Sequence, residues 1–134
     1  MSHYSLIATQ FRDEDELVHS IEELEPGWAV ERHATPVPLF GYQNDARPEK
    51  AHIVIRRKYV GGASNDIGFI RESDGTYRAI ISEYDQAAHG SEWLGRLTQL
   101  YAKNKVLRQM KLHGWRLGGQ TTTEKGAIKL VLEV

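Results

Sequence analysis

An α+β fold, with two amphipathic helices on one face of a mostly antiparallel sheet of about six or seven strands, is predicted by three features of the sequence. Leu17, Ile21 and Leu24 recur at the spacing of a helix with one buried face, as do Trp93, Leu94, Leu97, Leu100, Tyr101, Leu107 and Met110. The segments around them are short apolar runs bounded by turn residues, as strands are. The resulting order, β-α-β-β-β-β-α-β-β, groups strands together and does not alternate them with helices, which favours an antiparallel sheet.

Each element has a local reason. Tyr4 to Phe11 is apolar-rich and stops at a charge cluster, so it reads as the first strand. Asp13 is placed to N-cap the first helix, with Glu16 three residues on completing a variant capping box. Acids crowd that first turn, where the helix dipole favours negative charge. Pro26-Gly27 ends the helix, and Trp28 to His33 follows as a strand. Residues 34–50 then contain Pro36, Pro38, Gly41, Pro48 and Asn44-Asp45, which predict a long connection with an apolar centre at Val37, Leu39, Phe40 and Tyr42. A connection of that length suits a binding loop, a lid, or a segment packed over a sheet edge.

Ala51 to Lys58 alternates Ala51, Ile53 and Ile55 against His52, Val54 and Arg56. Gly61-Gly62-Ala63-Ser64-Asn65 turns the chain into a strand from Asp66 to Glu72, where Gly68 signals a bulge or a close approach from the covering helix. Ser73-Asp74-Gly75-Thr76 is a hairpin signal leading to Tyr77–Ser82, and the polar stretch from Glu83 to Gly90 breaks the pattern. Ser91 is positioned to cap the second helix, which runs to about His113, with Gly114 where a left-handed C-cap belongs. A last hairpin pairs Trp115–Thr121 with Ala127–Val134, and an apolar final strand at an edge would offer itself to a second copy. Residues 1–134 are read as a single α+β domain.

Hydrophobic residues make up 40% and charged residues 26%, ordinary globular usage that argues against disorder. The net charge of -1 gives no global attraction to nucleic acid or anionic membrane. Charge is unevenly placed, however. Residues 1–31 hold eight acids against one base, and residues 91–116 hold six bases against one acid. Either the molecule is electrically polarised or the two segments lie side by side and neutralise each other. The absence of cysteine removes disulfides, thiolate metal sites and Cys nucleophiles together. No apolar run approaches the roughly 20 residues that span a bilayer, and the polar Met1-Ser2-His3-Tyr4-Ser5 lacks the regions of a signal peptide.

Several segments taken together carry a family likeness: Met1-Ser2-His3-Tyr4-Ser5; Phe40-Gly41-Tyr42 followed by Ala51-His52-Ile53-Val54-Ile55-Arg56; Asn65-Asp66-Ile67-Gly68-Phe69; Asp74-Gly75-Thr76-Tyr77; the run from Leu97 to Leu107; and Gly126 to Leu132. Falling in order from end to end, they resemble the hypothetical chloroplast open reading frame thirty-five (Ycf-thirty-five) family of cyanobacteria, algal plastids and other bacteria, a domain of unknown function. The resemblance implies no reaction and no catalytic residues. It implies a cyanobacterial or plastid setting, so the cytoplasm, or the plastid stroma for an algal source, is the expected compartment.

No constellation amounts to a chemical signature, and no cofactor is expected. No two of the six histidines are closer than fourteen residues, so the paired spacing of a zinc site is missing and no metal site is expected. Among the histidines, His3 stands out because the resemblance includes it. The glycine-rich Gly61–Asn65 turn leads into a strand, whereas a phosphate cradle needs a helix behind it. Asp66 on a strand has the chemistry of a general base, and equally that of an ion-pair partner for Arg56 on the neighbouring strand. Tyr101, beside Gln99 and Asn104, is able to line a small pocket. Arg96, Lys103, Lys105, Arg108 and Lys111 flank the apolar stripe of the second helix as a solvated rim, or with Arg56-Arg57-Lys58 as an anion-binding surface.

Three functions follow from these residues. The first is a non-enzymatic accessory or protein-interaction domain, acting through the second helix or the Val37–Tyr42 segment, with a protein partner or a second copy. The second is a binder of RNA or another polyanion through Arg56, Arg57, Lys103, Lys105 and Arg108. The third is a small enzyme using His3, Asp66 and Tyr101, which requires those three to share one cleft.

Overall fold

The computed structural model describes residues 3–114, 116–122 and 128–133. Strand β1 (Tyr4–Ala8) leads to helix α1 (Glu14–Leu24), strands β2 (Val30–Phe40) and β3 (Ala46–Ile55), and a one-turn helix α2 (Arg57–Val60). Strands β4 (Ile67–Arg71) and β5 (Tyr77–Ser82), a second one-turn helix α3 (Gln86–His89), the long helix α4 (Ser91–His113) and strands β6 (Arg116–Thr122) and β7 (Ile128–Glu133) complete the order. Five strands form an open antiparallel sheet in the order β1-β5-β4-β3-β2. β6 and β7 do not extend it; they pair with each other in a separate two-stranded ladder. The single sheet of six or seven strands is thus corrected to five plus two. Period and propensity separate strand from helix, but a hairpin satisfies its own inner edge whether or not it joins a larger sheet. In the same way, the final strand expected at a self-pairing edge is one side of the β6–β7 ladder, and its end residues Ala127 and Val134 lie outside the described residues.

Both helices cover one face of the five-stranded sheet, as predicted. Ile53 and Ile55 from β3, Ile67 and Phe69 from β4, and Ala79 and Ile81 from β5 meet Leu17, Val18 and Ile21 of α1 and Trp93, Leu97 and Tyr101 of α4. Phe11, fully buried in the segment between β1 and α1, packs edge-on against Tyr101 and Phe69, with ring centroids 5.0 and 6.1 Å apart. The acidic α1 and basic α4 lie side by side, and part of the charge asymmetry is neutralised between them through Arg108. Arg108 faces Asp13 at 3.3 Å and Glu16 at 3.5 Å, and Asn104 donates to the Ser20 hydroxyl at 3.0 Å.

The helix ends follow local rules with two substitutions. Asp13 caps α1 by accepting from the Glu16 amide at 3.1 Å. The return bond of the capping box comes not from Glu16 but from the Tyr101 hydroxyl, which accepts from the Arg12 and Asp13 amides at 3.1 and 2.9 Å. Gly114 closes α4 in the left-handed conformation. At the other end Ser91 does not cap; Gly90 is the N-cap, and its carbonyl accepts the Leu94 amide.

Residues 34–50 are not a connection. They are most of a long hairpin, β2 and β3 with the tip at 41–45. β2 is the outermost strand, where a proline forfeits no inter-strand bond on its open side, and Pro36 and Pro38 fall in the irregular part of its register. Pro48 lies opposite, between the Pro38↔Lys50 and Phe40↔Ala46 pairs. β3 bends where Ala51 and Ile53, expected on one face, join opposite cores. The ladder to β4 begins only at Ile53, and before it His52 Nδ1 accepts the Arg71 amide at 3.0 Å. The bent hairpin brings Leu39 and Ala51 over the second face of the sheet, onto Val54 and Ile80. Gly68 makes room for it: an added Cβ would stand 2.6 Å from the Ala51 Cβ and 2.9 Å from Leu39 Cδ2. The close approach is real, but it comes from this hairpin and not from a helix. Gly68→Val is expected to destabilise the fold by about 1–3 kcal/mol, read as a lower urea midpoint with an unchanged slope.

Candidate functional site

Where β3 ends, Arg56 turns its side chain back beneath β2. Its Nε and Nη2 donate to Glu31 Oε2 and Oε1 at 2.7 and 2.9 Å, while Nη1 donates to Asp66 Oδ2 at 2.9 Å. One planar guanidinium thus grips Glu31 with a two-donor fork and Asp66 with a third donor, and a lysine ammonium has no such fork. The Arg56 bond holds the Glu31 carboxyl below the usual carboxylate range despite partial burial, and His33 adds to it at 2.9 Å. The Glu31 bond in turn raises the Arg56 pKa.

Asp66, 1% exposed at the start of β4, is saturated. Its carboxylate also accepts from the amides of Phe40 at 2.8 Å and Arg57 at 2.7 Å. Its own amide donates to the Phe40 carbonyl, and the Tyr4 hydroxyl donates to its carbonyl at 2.8 Å. Burial and then the Asp66 and Asp85 charges raise the Tyr4 pKa, so that hydroxyl stays a donor. A second buried set completes the clamp. Asp85 accepts from the Ser82 hydroxyl at 2.7 Å and from the Asn65 amide at 2.9 Å, and Asn65 Oδ1 accepts from the Tyr42 amide at 2.9 Å. Asn65 and Asp66 therefore pin the tip of the β2–β3 hairpin to the sheet.

Between that tip and α2 lies a cavity of about 620 Å³. Phe40 and Asn44 line it from the hairpin; Arg56, Arg57, Lys58, Gly61 and Gly62 line it from the other side, with Asp66 at their junction. The Arg56 guanidinium stands 5.6 Å from the Phe40 ring centroid. A volume of this size is within the ordinary range of ligand-holding clefts.

Of the residues singled out in the sequence, Arg56 and Asp66 come together as an ion pair, just past the end of β3 and just before the start of β4. His3 is exposed at the start of β1, where its carbonyl accepts the Glu83 amide. Tyr101 is 5% exposed in the core beneath the helices, its hydroxyl engaged at the head of α1. Neither His3 nor Tyr101 lines the cavity. Lys103, Lys105 and Arg108 sit on α4. There the Lys105 ammonium lies 5.7 Å from the Tyr101 ring, and Arg108 faces the acids of α1. Phe40 was expected in the Val37–Tyr42 segment, and Asn65 stood in one of the family-likeness segments, but Glu31 and Asp85 had no marker in the sequence, because strand pairing and loop packing bring them to the site. Gly61 and Gly62, in the loop set aside as a phosphate cradle, form part of the wall.

A second cluster joins the start of β2 to the α3–α4 corner. The rings of Trp28, His89 and Trp93 pack within 5.3–5.9 Å of one another, and His89 Nδ1 and Trp93 Nε1 are buried without hydrogen-bond partners. Burial lowers the His89 pKa against the opposing charges of Glu25 and Asp85, and Arg96 adds to the lowering. The folded chain therefore holds this imidazole neutral, while the unfolded chain takes up a proton as pH falls through about 6.5. The unfolded state binds more protons there, so stability falls with acid. The urea midpoint of the wild type is expected to drop more steeply between pH 7.5 and 5.5 than that of His89→Phe; parallel curves would contradict this.

Comparisons with known proteins add a family and no activity. A family model described as "Protein of unknown function (DUF1257)" matches residues 20–131. "Uncharacterized protein ycf35" of Guillardia theta is 30% identical over 136 residues, spanning 99% of this chain and 97% of that relative. No solved structure matches. Among the described residues, no helix is long and apolar enough to cross a membrane.

Proposed function

The chain belongs to the DUF1257 family of proteins of unknown function, and from that premise we propose that it is a non-enzymatic accessory domain that binds a protein partner at the tip of its β2–β3 hairpin. The observation that carries this reading is the cavity beside Phe40, whose Arg56 and Asp66 are already spent on each other and on Glu31. A general base needs carboxylate lone pairs free to take a substrate proton, whereas Glu31 and Asp66 both accept from Arg56. Tyr42, 41% exposed at the hairpin tip, extends the apolar surface next to the cavity. The working compartment in this reading is the cytoplasm, or the plastid stroma if the source is algal like the relative from Guillardia theta.

The other two functions have less behind them. A polyanion surface that uses Arg56 and Arg108 would have to draw them from Glu31, Asp66, Asp13 and Glu16. An enzyme built on His3, Asp66 and Tyr101 lacks the shared cleft it requires.

Gly62 supplies the test. It lines the cavity, and an added Cβ there meets nothing within 4 Å, so Gly62→Phe adds bulk at the wall of the site without a clash in the core. Capture from the native cell with the tagged full chain is expected to recover a protein that Gly62→Phe, equal in thermal stability, does not retain. Identical recovery by both chains, or recovery by neither, would contradict the proposal.

A further inference from the structure

Three cations border the cavity, and they are not equivalent. Arg56 is held by Glu31 and Asp66. Arg57 and Lys58 have no carboxylate within salt-bridge distance among the described residues. The Arg57 guanidinium makes only a 3.5 Å contact with the Gly62 carbonyl, and the Lys58 ammonium lies 5.0 Å from the Tyr59 ring centroid. Asp66, the one acid in the lining, is buried and fully engaged by Arg56 and the Phe40 and Arg57 amides. The wall thus combines an apolar surface at Phe40 with positive charge that nothing in the described fold neutralises. An arginine fork and a neighbouring ammonium suit a carboxylate, and such rim charges act mainly on encounter rate and partner choice.

We propose that the cavity takes an acidic segment of its partner protein, with an apolar side chain against Phe40 and a nearby carboxylate shared by Arg57 and Lys58. This rests on the reading of the cavity as the binding site. It adds the chemistry of the partner, and the two are separable by experiment.

The probe is a displayed library of random heptapeptides, selected on the immobilised full chain at low salt. Enriched peptides are expected to pair an acid with an apolar residue, to weaken as salt is raised, and to lose capture on Gly62→Phe. The double variant Arg57→Glu/Lys58→Glu, which leaves the Arg57 amide bond to Asp66 in place, is expected to turn the preference towards basic peptides. Enriched peptides without acids that still depend on Gly62 would overturn the acidic-partner proposal and leave the cavity reading standing. Peptides indifferent to Gly62→Phe, or no enrichment, would overturn both. Retention of a single-stranded RNA oligonucleotide, lost in Gly62→Phe, would assign the surplus charge to a polyanion and overturn the proposal as well.

Discussion

Asp66→Ala lowers the unfolding free energy by about 3–5 kcal/mol, the range for removing one partner of a buried ion pair. The carboxylate is 1% exposed and accepts three hydrogen bonds, from the Phe40 amide, the Arg57 amide and Arg56 Nη1. Truncation leaves two amides unanswered and removes one of the two carboxylates on Arg56. Asp66→Asn is also expected to be costly, since its NH2 faces groups that are all donors. Equilibrium urea unfolding of the full chain measures both. The loss is also expected to be local in origin. Amide exchange in Asp66→Ala should rise first at the hairpin tip, from Phe40 to Asp45, while α4 stays protected. A change below about 1 kcal/mol would mean that the network does not hold the hairpin.

Phe11→Ala is the second large effect, again about 3–5 kcal/mol, by a different cause. Phe11 is fully buried outside any strand or helix, and its ring packs edge-on against both Phe69 of the sheet and Tyr101 of α4. Its removal opens a void between the sheet and its helical cover and loses two aromatic contacts of specific geometry. The two substitutions act on opposite faces of the sheet. Phe11→Ala is expected to lower the urea midpoint and, below the transition, to leave capture of the partner unchanged. Asp66→Ala is expected to reduce both.

The contrast between these residues marks what the sequence made legible. The long helix was readable to its ends, from Ser91 to His113, because an apolar stripe lies between a polar break and a capping glycine. The β5 strand was equally clear behind Asp74-Gly75. The ends of the hairpin at 30–55 were read as strands, but residues 34–50 were missed because Pro36 and Pro38 occupy an outer strand and Pro48 a part of β3 with no ladder to β4, where a missing N–H costs little; in sequence such residues look like loop. The alternation at Ala51-His52-Ile53 was misleading for a related reason, since β3 bends there and sends Ala51 to the other core.

The candidate site was half visible. Arg56 and Asp66 were chosen from the sequence, with the ion pair as one of the two roles open to Asp66. Glu31 was not chosen, because a strand carboxylate twenty-five residues away declares nothing until the β2–β3 register, which pairs Glu31 with Val54, sets it beside the same guanidinium. Tyr101 was chosen for a pocket, yet it caps a helix, a use of its hydroxyl that only packing of α4 on α1 creates. Residues whose role is set by local chemistry were legible, and those whose role is set by how separate strands, loops and helices pack were not.

Hydrogen–deuterium exchange on the full chain, with and without the protein it retains from its native cell, tests partner binding at the hairpin tip most directly. Protection confined to residues 40–44 and 57–62 is the predicted result. Protection centred on Lys103–Arg108 of α4, with the hairpin tip and α2 unchanged, would contradict it.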